Sequence, residues 1–68
     1  MAYEVRTRYG WGWEVIGDGF RSHPIEYAIT AEMIADGLNE GKTIEEVMGL
    51  LEKHGYRFED GRIYDPRP

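Results

Sequence analysis

The strongest local signal in this chain is a two-residue turn, Asp60-Gly61, between two short runs rich in β-forming residues. Two-residue hairpin loops are usually type I′ turns, whose central residues both need positive φ, and Asp-Gly adopts that conformation readily. The turn also sets the pairing of residues 56–64, placing Phe58 opposite Ile63 on the face toward the core. The sequence therefore predicts a β-hairpin near the end of the chain.

Another hairpin is predicted near the start, where residues 3–16 alternate and are rich in β-formers around central glycines. A three-residue loop, Gly10-Trp11-Gly12, would close it with Thr7 opposite Val15 and Trp11 at the solvent-facing tip. This register collects the apolar and aromatic side chains on one face, whereas a two-residue loop would mix the faces. Gly17-Asp18-Gly19 is predicted as the turn that follows.

Two helices are predicted between the hairpins. The first begins at Ser22-His23-Pro24, where proline suits the first turn, and runs to about Asn39. The second begins with a capping box, in which Thr43 is the N-cap and Glu46 follows three residues later, and it ends near His54.

The first predicted helix is apolar on two sides. Its core stripe is Tyr27, Ala31, Ile34 and Leu38. The other side carries Ile25, Ile29 and Met33. One packed layer cannot cover both sides, so we expect the second to meet a partner, a second copy of the chain, or the interior of the domain.

The join between the helices reads Glu40-Gly41-Lys42-Thr43-Ile44-Glu45-Glu46. With its flanking residues, 35–51, it resembles the opening of a helix-turn-helix domain. That resemblance implies DNA binding through a further, recognition helix. After His54, however, the sequence has Gly55 and the Asp-Gly hairpin in its place, which favours an ordinary capped helical hairpin.

Together these elements predict a small α+β domain spanning residues 1–68, in the order β-hairpin, two α-helices, β-hairpin (ββααββ), with an antiparallel sheet packed against the helix pair. Residues 65–68 are expected to form a frayed tail. A chain of 68 residues without cysteine has a small core and no disulfide to support it, so pairing with a second copy is a further expectation.

The residue types needed for catalysis are scarce. There is no cysteine, and the only histidines, His23 and His54, lie at predicted helix ends, where capping and dipole effects account for them. The glycine-rich turns lack the Lys-Ser/Thr of a phosphate-binding loop. We therefore expect a protein that is not an enzyme, with no catalytic, cofactor-binding or metal-binding residues.

Localisation is predicted from two absences. No apolar run approaches the ~20 residues of a membrane span. The first residues also lack the basic start and apolar block of a signal peptide. We expect an intracellular, cytoplasmic protein that does not act in a membrane.

Charge is unevenly distributed along the chain. The net charge is −5, and residues 22–54 contain seven acidic side chains but only two lysines. This favours a protein-binding module that places an acidic helical face on a basic, nucleic-acid-binding site of a larger protein, such as a nuclease, a polymerase or a CRISPR effector, in the manner of inhibitors encoded by phages or mobile elements. The candidate contact residues are Trp11, Ile29, Glu32, Met33, Asp36 and Glu40.

An alternative hypothesis is a small nucleic-acid-binding regulator, in which strand arginines and an aromatic ring contact a single strand, with dimerisation or a degenerate helix-turn-helix as variants. The residues for this arginine face are Arg6, Arg8, Arg57, Arg62 and Tyr64.

Overall fold

The computed structural model describes residues 2–67 and confirms the α+β class and the order hairpin, helix pair, hairpin. The elements are β1 (Glu4–Thr7), β2 (Trp13–Gly17), β3 (Phe20–Arg21), α1 (Ala28–Asn39), α2 (Ile44–Lys53), β4 (Arg57–Glu59) and β5 (Arg62–Tyr64). They form a three-stranded antiparallel sheet, β1-β2-β3, and a two-stranded antiparallel sheet, β4-β5. The short strand β3, after the Asp18-Gly19 turn, is an addition that the sequence did not predict.

The register of the first hairpin differs from the predicted one by two residues. Val5, not Thr7, lies opposite Val15. The loop accordingly spans residues 8–12 and is closed by a hydrogen bond from the Arg8 N–H to the Gly12 carbonyl at 3.0 Å. Because the shift is two residues, the side chains of β1 and β2 stay on their predicted faces, whereas Tyr9, predicted on the apolar face, lies in the loop and is exposed. The register depends on contacts beyond the hairpin, since β2 also pairs with Ile25 beside the loop.

Ile25 connects the two hairpins. Its N–H and carbonyl both pair with Trp13, each at 2.8 Å, and its neighbour Pro24 accepts a hydrogen bond from the Ile63 N–H at 2.8 Å. The prediction that Ser22-His23-Pro24 starts the first helix is therefore wrong: these backbone bonds hold the segment extended. Helix α1 begins only at Ala28, after an N-cap residue that makes no side-chain capping bond.

The core lies between the helices and the strands. It consists of Val15, Ile25, Ala31, Ile34, Ala35, Leu38, Val47, Leu51 and Ile63. Of the predicted α1 stripe, Tyr27 is exposed, because it precedes the helix. Ile25, expected on the second side of the helix, is fully buried between the hairpins.

The second helix and the second hairpin match their predictions closely. The capping box of α2 is complete: Thr43 Oγ1 accepts from the Glu46 N–H at 3.1 Å, and the Glu46 carboxylate accepts from the Thr43 N–H at 2.8 Å. Asp60 and Gly61 have φ of 52° and 71°, as a type I′ turn requires, and Phe58 lies opposite Ile63. Phe58 is nonetheless 43% exposed, so only Ile63 of this pair belongs to the core.

The start of the C-terminal tail is attached to α1. Asp65 accepts a hydrogen bond from the buried Thr30 hydroxyl at 2.6 Å and donates its N–H to Glu26 at 3.0 Å. The expected fraying of the tail remains a prediction for the residues after Asp65, and Pro68 lies outside the described residues.

Candidate functional site

Helix α1 carries two exposed apolar side chains one turn apart. Ile29 is 66% exposed and Met33 is 47% exposed. Three carboxylates at a spacing of four residues are also exposed here: Glu32 and Asp36 on the helix, and Glu40 at its C-cap. We call these five residues the acidic helical face. The structure brings together all the predicted partner-binding residues except Trp11.

A groove between α1 and α2 continues this face. It has a volume of about 220 Å³, and its lining consists of Met33, Asp36, Gly37, Glu40, Lys42, Val47, Leu50 and Leu51. Leu50 is nearly half exposed. Gly37 lets the helices approach, since a Cβ there would lie 3.0 Å from Val47 Cγ2. Sequence reasoning missed this groove, although a glycine inside α1 and a leucine outside the α2 stripe were its visible signs.

Met33 also contacts Tyr56, which follows α2. The Tyr56 hydroxyl donates to the Met33 sulfur at 3.8 Å. At the groove, Lys42 pairs with Glu40 at 3.1 Å, so one of the three carboxylates is partly compensated. Glu32 and Asp36 form no ion pair within residues 2–67.

Trp11 does not face solvent as a free anchor. Its ring is half-buried against β5, edge-on to Tyr64 with centroids 5.5 Å apart, and the Arg62 guanidinium lies 4.4 Å from its centroid. The fully exposed side chain of this loop is Tyr9. The prediction that Trp11 faces solvent at the loop tip is therefore wrong. Its partners, Arg62 and Tyr64, lie near the other end of the chain, and a local sequence pattern cannot indicate such contacts.

The predicted arginine face is divided into two groups. Arg57 and Arg62 lie on the second hairpin, where the Arg57 guanidinium covers Tyr64 at 5.1 Å and pairs with Glu59 at 3.2 Å. Glu59 lies opposite Arg62 in the hairpin, but its ion pair forms with Arg57 on its own strand.

Arg6 and Arg8 form the other group, around Glu14 on the outer face of the first sheet. The Glu14 side chain is only 2% exposed and pairs with Arg21 Nε at 2.8 Å, Arg6 Nε at 2.9 Å and Arg8 at 3.4 Å. These hydrogen bonds, from Arg21 first and then Arg6, lower the pKa of Glu14 to about 2. Three guanidiniums around one carboxylate leave a net charge of +2 here. Sequence reasoning missed Arg21, which requires the unpredicted strand β3.

An open depression of about 520 Å³ joins the two groups. Its lining is Arg8, Tyr9, Gly10, Trp11, His23, Pro24, Asp60, Gly61 and Arg62. We call it the loop depression. It lies between the first hairpin's loop and the Asp60-Gly61 turn, and it brings Arg8 and Arg62 to a common surface.

Comparison with protein-family models gives no match, and searches of curated proteins and solved structures find no significant similarity. Within residues 2–67, no three His, Asp or Glu side chains are grouped as metal ligands. None of the helices described here has the length and apolar character needed to cross a membrane.

Proposed function

We propose that this chain is a non-enzymatic protein-binding module, whose acidic helical face and adjoining groove bind a basic surface of a larger protein. The observation that carries the proposal is the exposure of Ile29 and Met33 among carboxylates, beside an apolar groove. Apolar anchors surrounded by charge are typical of interfaces that use burial for affinity and electrostatics for orientation.

The energetic contribution of the anchors is substantial. Burying one large aliphatic side chain fully is worth ~1.5–3 kcal/mol. Ile29 is 66% exposed and Met33 is 47% exposed in the free chain, so a partner can still bury about half of each side chain. The groove offers further apolar contact with Leu50 and Val47. An apolar partner side chain that entered the groove would therefore add to the affinity, beside the charged groups Asp36, Glu40 and Lys42 that also line it.

Charge indicates the class of partner. Glu32, Asp36 and Glu40 follow one another at four-residue intervals, and residues four apart lie on one side of a helix. A row of negative charge on a molecule of net charge −5 complements the basic sites with which proteins bind nucleic-acid phosphates. We propose such a site, on a nuclease, a polymerase or a CRISPR effector, as the target that this face occupies and inhibits.

The test uses a defined probe, a synthetic amphipathic helical peptide with lysines and arginines around an apolar stripe. Titration calorimetry should show saturable binding, and amide shift perturbations should map to α1 and the groove. Met33→Glu should weaken binding at least tenfold, about 1.4 kcal/mol, since it replaces an apolar contact by a charge. Phe58→Glu is the matched control: it adds the same charge at a similarly exposed apolar position away from α1, on the second hairpin, and should change the affinity less than twofold.

Ile29→Glu keeps the test decisive if Met33→Glu unfolds, because Ile29 is too exposed to support the core. Peptide binding by Ile29→Glu equal to that of the parent would overturn the proposal. So would a sedimentation mass of two chains that falls to one in Ile29→Glu, since the face would then be occupied by a second copy.

A further inference from the structure

We infer that the loop depression is a binding site for single-stranded nucleic acid, on a surface separate from the acidic helical face. Three observations support it: an aromatic side chain that is fully exposed, a cation–aromatic stack, and arginines that outnumber the carboxylates beside them. It goes beyond the proposed function and does not depend on it.

Tyr9 is the unused aromatic residue. It is fully exposed in the loop of residues 8–12, whereas Trp11 in the same loop packs on the second hairpin. An exposed tyrosine contributes nothing to the core, but its ring can stack on an unpaired base. Stacking of this kind accepts any base, because every base has a π-face.

Arg62 and Trp11 provide a second stacking element beside Tyr9. The guanidinium lies over the indole at 4.4 Å, and Trp11 is braced in turn by Tyr64. Because the stack is already formed, little conformational entropy would be lost when a ligand binds. Bases stack on guanidinium planes as well as on aromatic rings, so Arg62 can offer its outer surface to a second base.

Arg8 and Arg62 supply charge for the phosphates. Arg8 makes the longest of the three contacts to Glu14, at 3.4 Å, while Arg21 and Arg6 hold that carboxylate more closely. Arg62 forms no ion pair among residues 2–67. Asp60 also lines the depression and subtracts one charge from it.

The wider surface remains positive by one charge. It holds four arginines, the two of the depression and the two that hold Glu14, against three carboxylates: Glu14, Asp60 and Glu4, which shares the outer face of β1 with Arg6. The phosphates of a short single strand can bind these arginines, and no acidic residue of α1 lines the depression. A duplex cannot stack its bases on Tyr9, because they are already paired and stacked. The chemistry therefore favours a single strand.

The test is fluorescence anisotropy with a labelled oligothymidylate of about ten nucleotides, at low salt. We expect saturable binding that weakens as salt rises, because phosphates are neutralised by arginine. Tyr9→Ala should weaken binding at least fivefold without changing the melting temperature. Arg62→Gln should weaken it and reduce the salt dependence. Arg67→Gln is the charge-matched control, exposed in the tail and outside the depression, and should bind as the parent does.

Equal affinity of Tyr9→Ala and the parent would overturn the inference, as would equal weakening by Arg62→Gln and Arg67→Gln. Binding of thymidine monophosphate as tight as that of the oligonucleotide would also overturn it, since a site for one free phosphate would then suffice. Ile29→Glu should leave oligonucleotide binding intact, so failure here and failure of the proposed function are distinguishable.

Discussion

Gly12 determines how the first hairpin's loop lies against the rest of the domain, and Gly12→Ala tests this directly. The residue has φ of +70°, and an added Cβ would collide with the Ile25 carbonyl oxygen and lie 3.1 Å from its carbonyl carbon. The obstacle is backbone, which cannot rotate away as a side chain can. The substitution must therefore displace either the loop or the Ile25 segment.

The magnitude follows from what the displacement breaks. A left-handed conformation costs an alanine about 1–2 kcal/mol. The two Trp13–Ile25 hydrogen bonds next to the collision, each 2.8 Å long, contribute about 0.5–1.5 kcal/mol apiece. We expect Gly12→Ala to lower the free energy of unfolding by about 2–5 kcal/mol, a large part of the roughly 3–10 kcal/mol typical of a chain of this length.

Gly10→Ala is the matched control in the same loop. Gly10 also has positive φ, +91°, but no atom lies within 4 Å of an added Cβ. It should lose only the conformational term, and both variants gain the same small benefit from a stiffer unfolded chain. Urea denaturation, followed by tryptophan fluorescence and far-UV circular dichroism, measures the difference. If the two variants have equal unfolding free energies, the contact of the loop with Ile25 does not stabilise the domain and the reasoning is refuted.

Three further predictions concern the hairpin turn, the helix cap and the buried carboxylate. Gly61→Val should destabilise the domain by at least about 1 kcal/mol in urea melts through strain at φ of 71°, and an unchanged midpoint would contradict the turn type. Thr43→Ala should cost about 1 kcal/mol by removing the acceptor for the Glu46 N–H, with Thr43→Ser as the variant that retains it. The folded pKa of Glu14 is about 2, below its unfolded value, so the ionised carboxylate stabilises the domain above pH ~4.5 and this stabilisation is lost as the pH falls toward 2. The melting temperature of Glu14→Gln should therefore decline less over this range than that of the parent. Equal declines would refute the stabilising role of the Glu14 carboxylate.

Most of the fold could be predicted where the signal is local. The Asp60-Gly61 turn and the Thr43 capping box each depend on residues at most three positions apart, and both predictions are confirmed. The prediction of where the first helix starts is wrong because Pro24 and Ile25 form backbone hydrogen bonds with strands on both sides. These bonds outweigh the helix-start signal of Ser22-His23-Pro24. The predicted register of the first hairpin is wrong for a related reason: the N–H and carbonyl of Trp13, beside the loop, form hydrogen bonds with Ile25.

The candidate surfaces divide in the same way. Helical periodicity alone placed Ile29 and Met33 away from the core stripe, and both are exposed on the described helix. The groove beside them needs the close approach of α1 and α2 at Gly37, which no single-helix pattern specifies. The contact of Trp11 with Tyr64 likewise joins opposite ends of the chain.

Alternation along β2 explains how an acidic protein can present a basic surface. Val15 is directed into the core, where α1 packs, and Glu14 therefore lies on the outer face, where Arg6 and Arg21 gather around it. The domain's shortest dimension is 18 Å, about twice the Debye length of ~8 Å at physiological ionic strength. At that salt concentration the carboxylates of α1 are screened from the arginines across the sheet, and each surface can attract a ligand of opposite charge. At low salt the screening fails, and the negative charge of the helices opposes binding of a nucleic acid to the other side. The affinity of the loop depression for an oligonucleotide should therefore rise less steeply on lowering salt than its number of arginines alone would give.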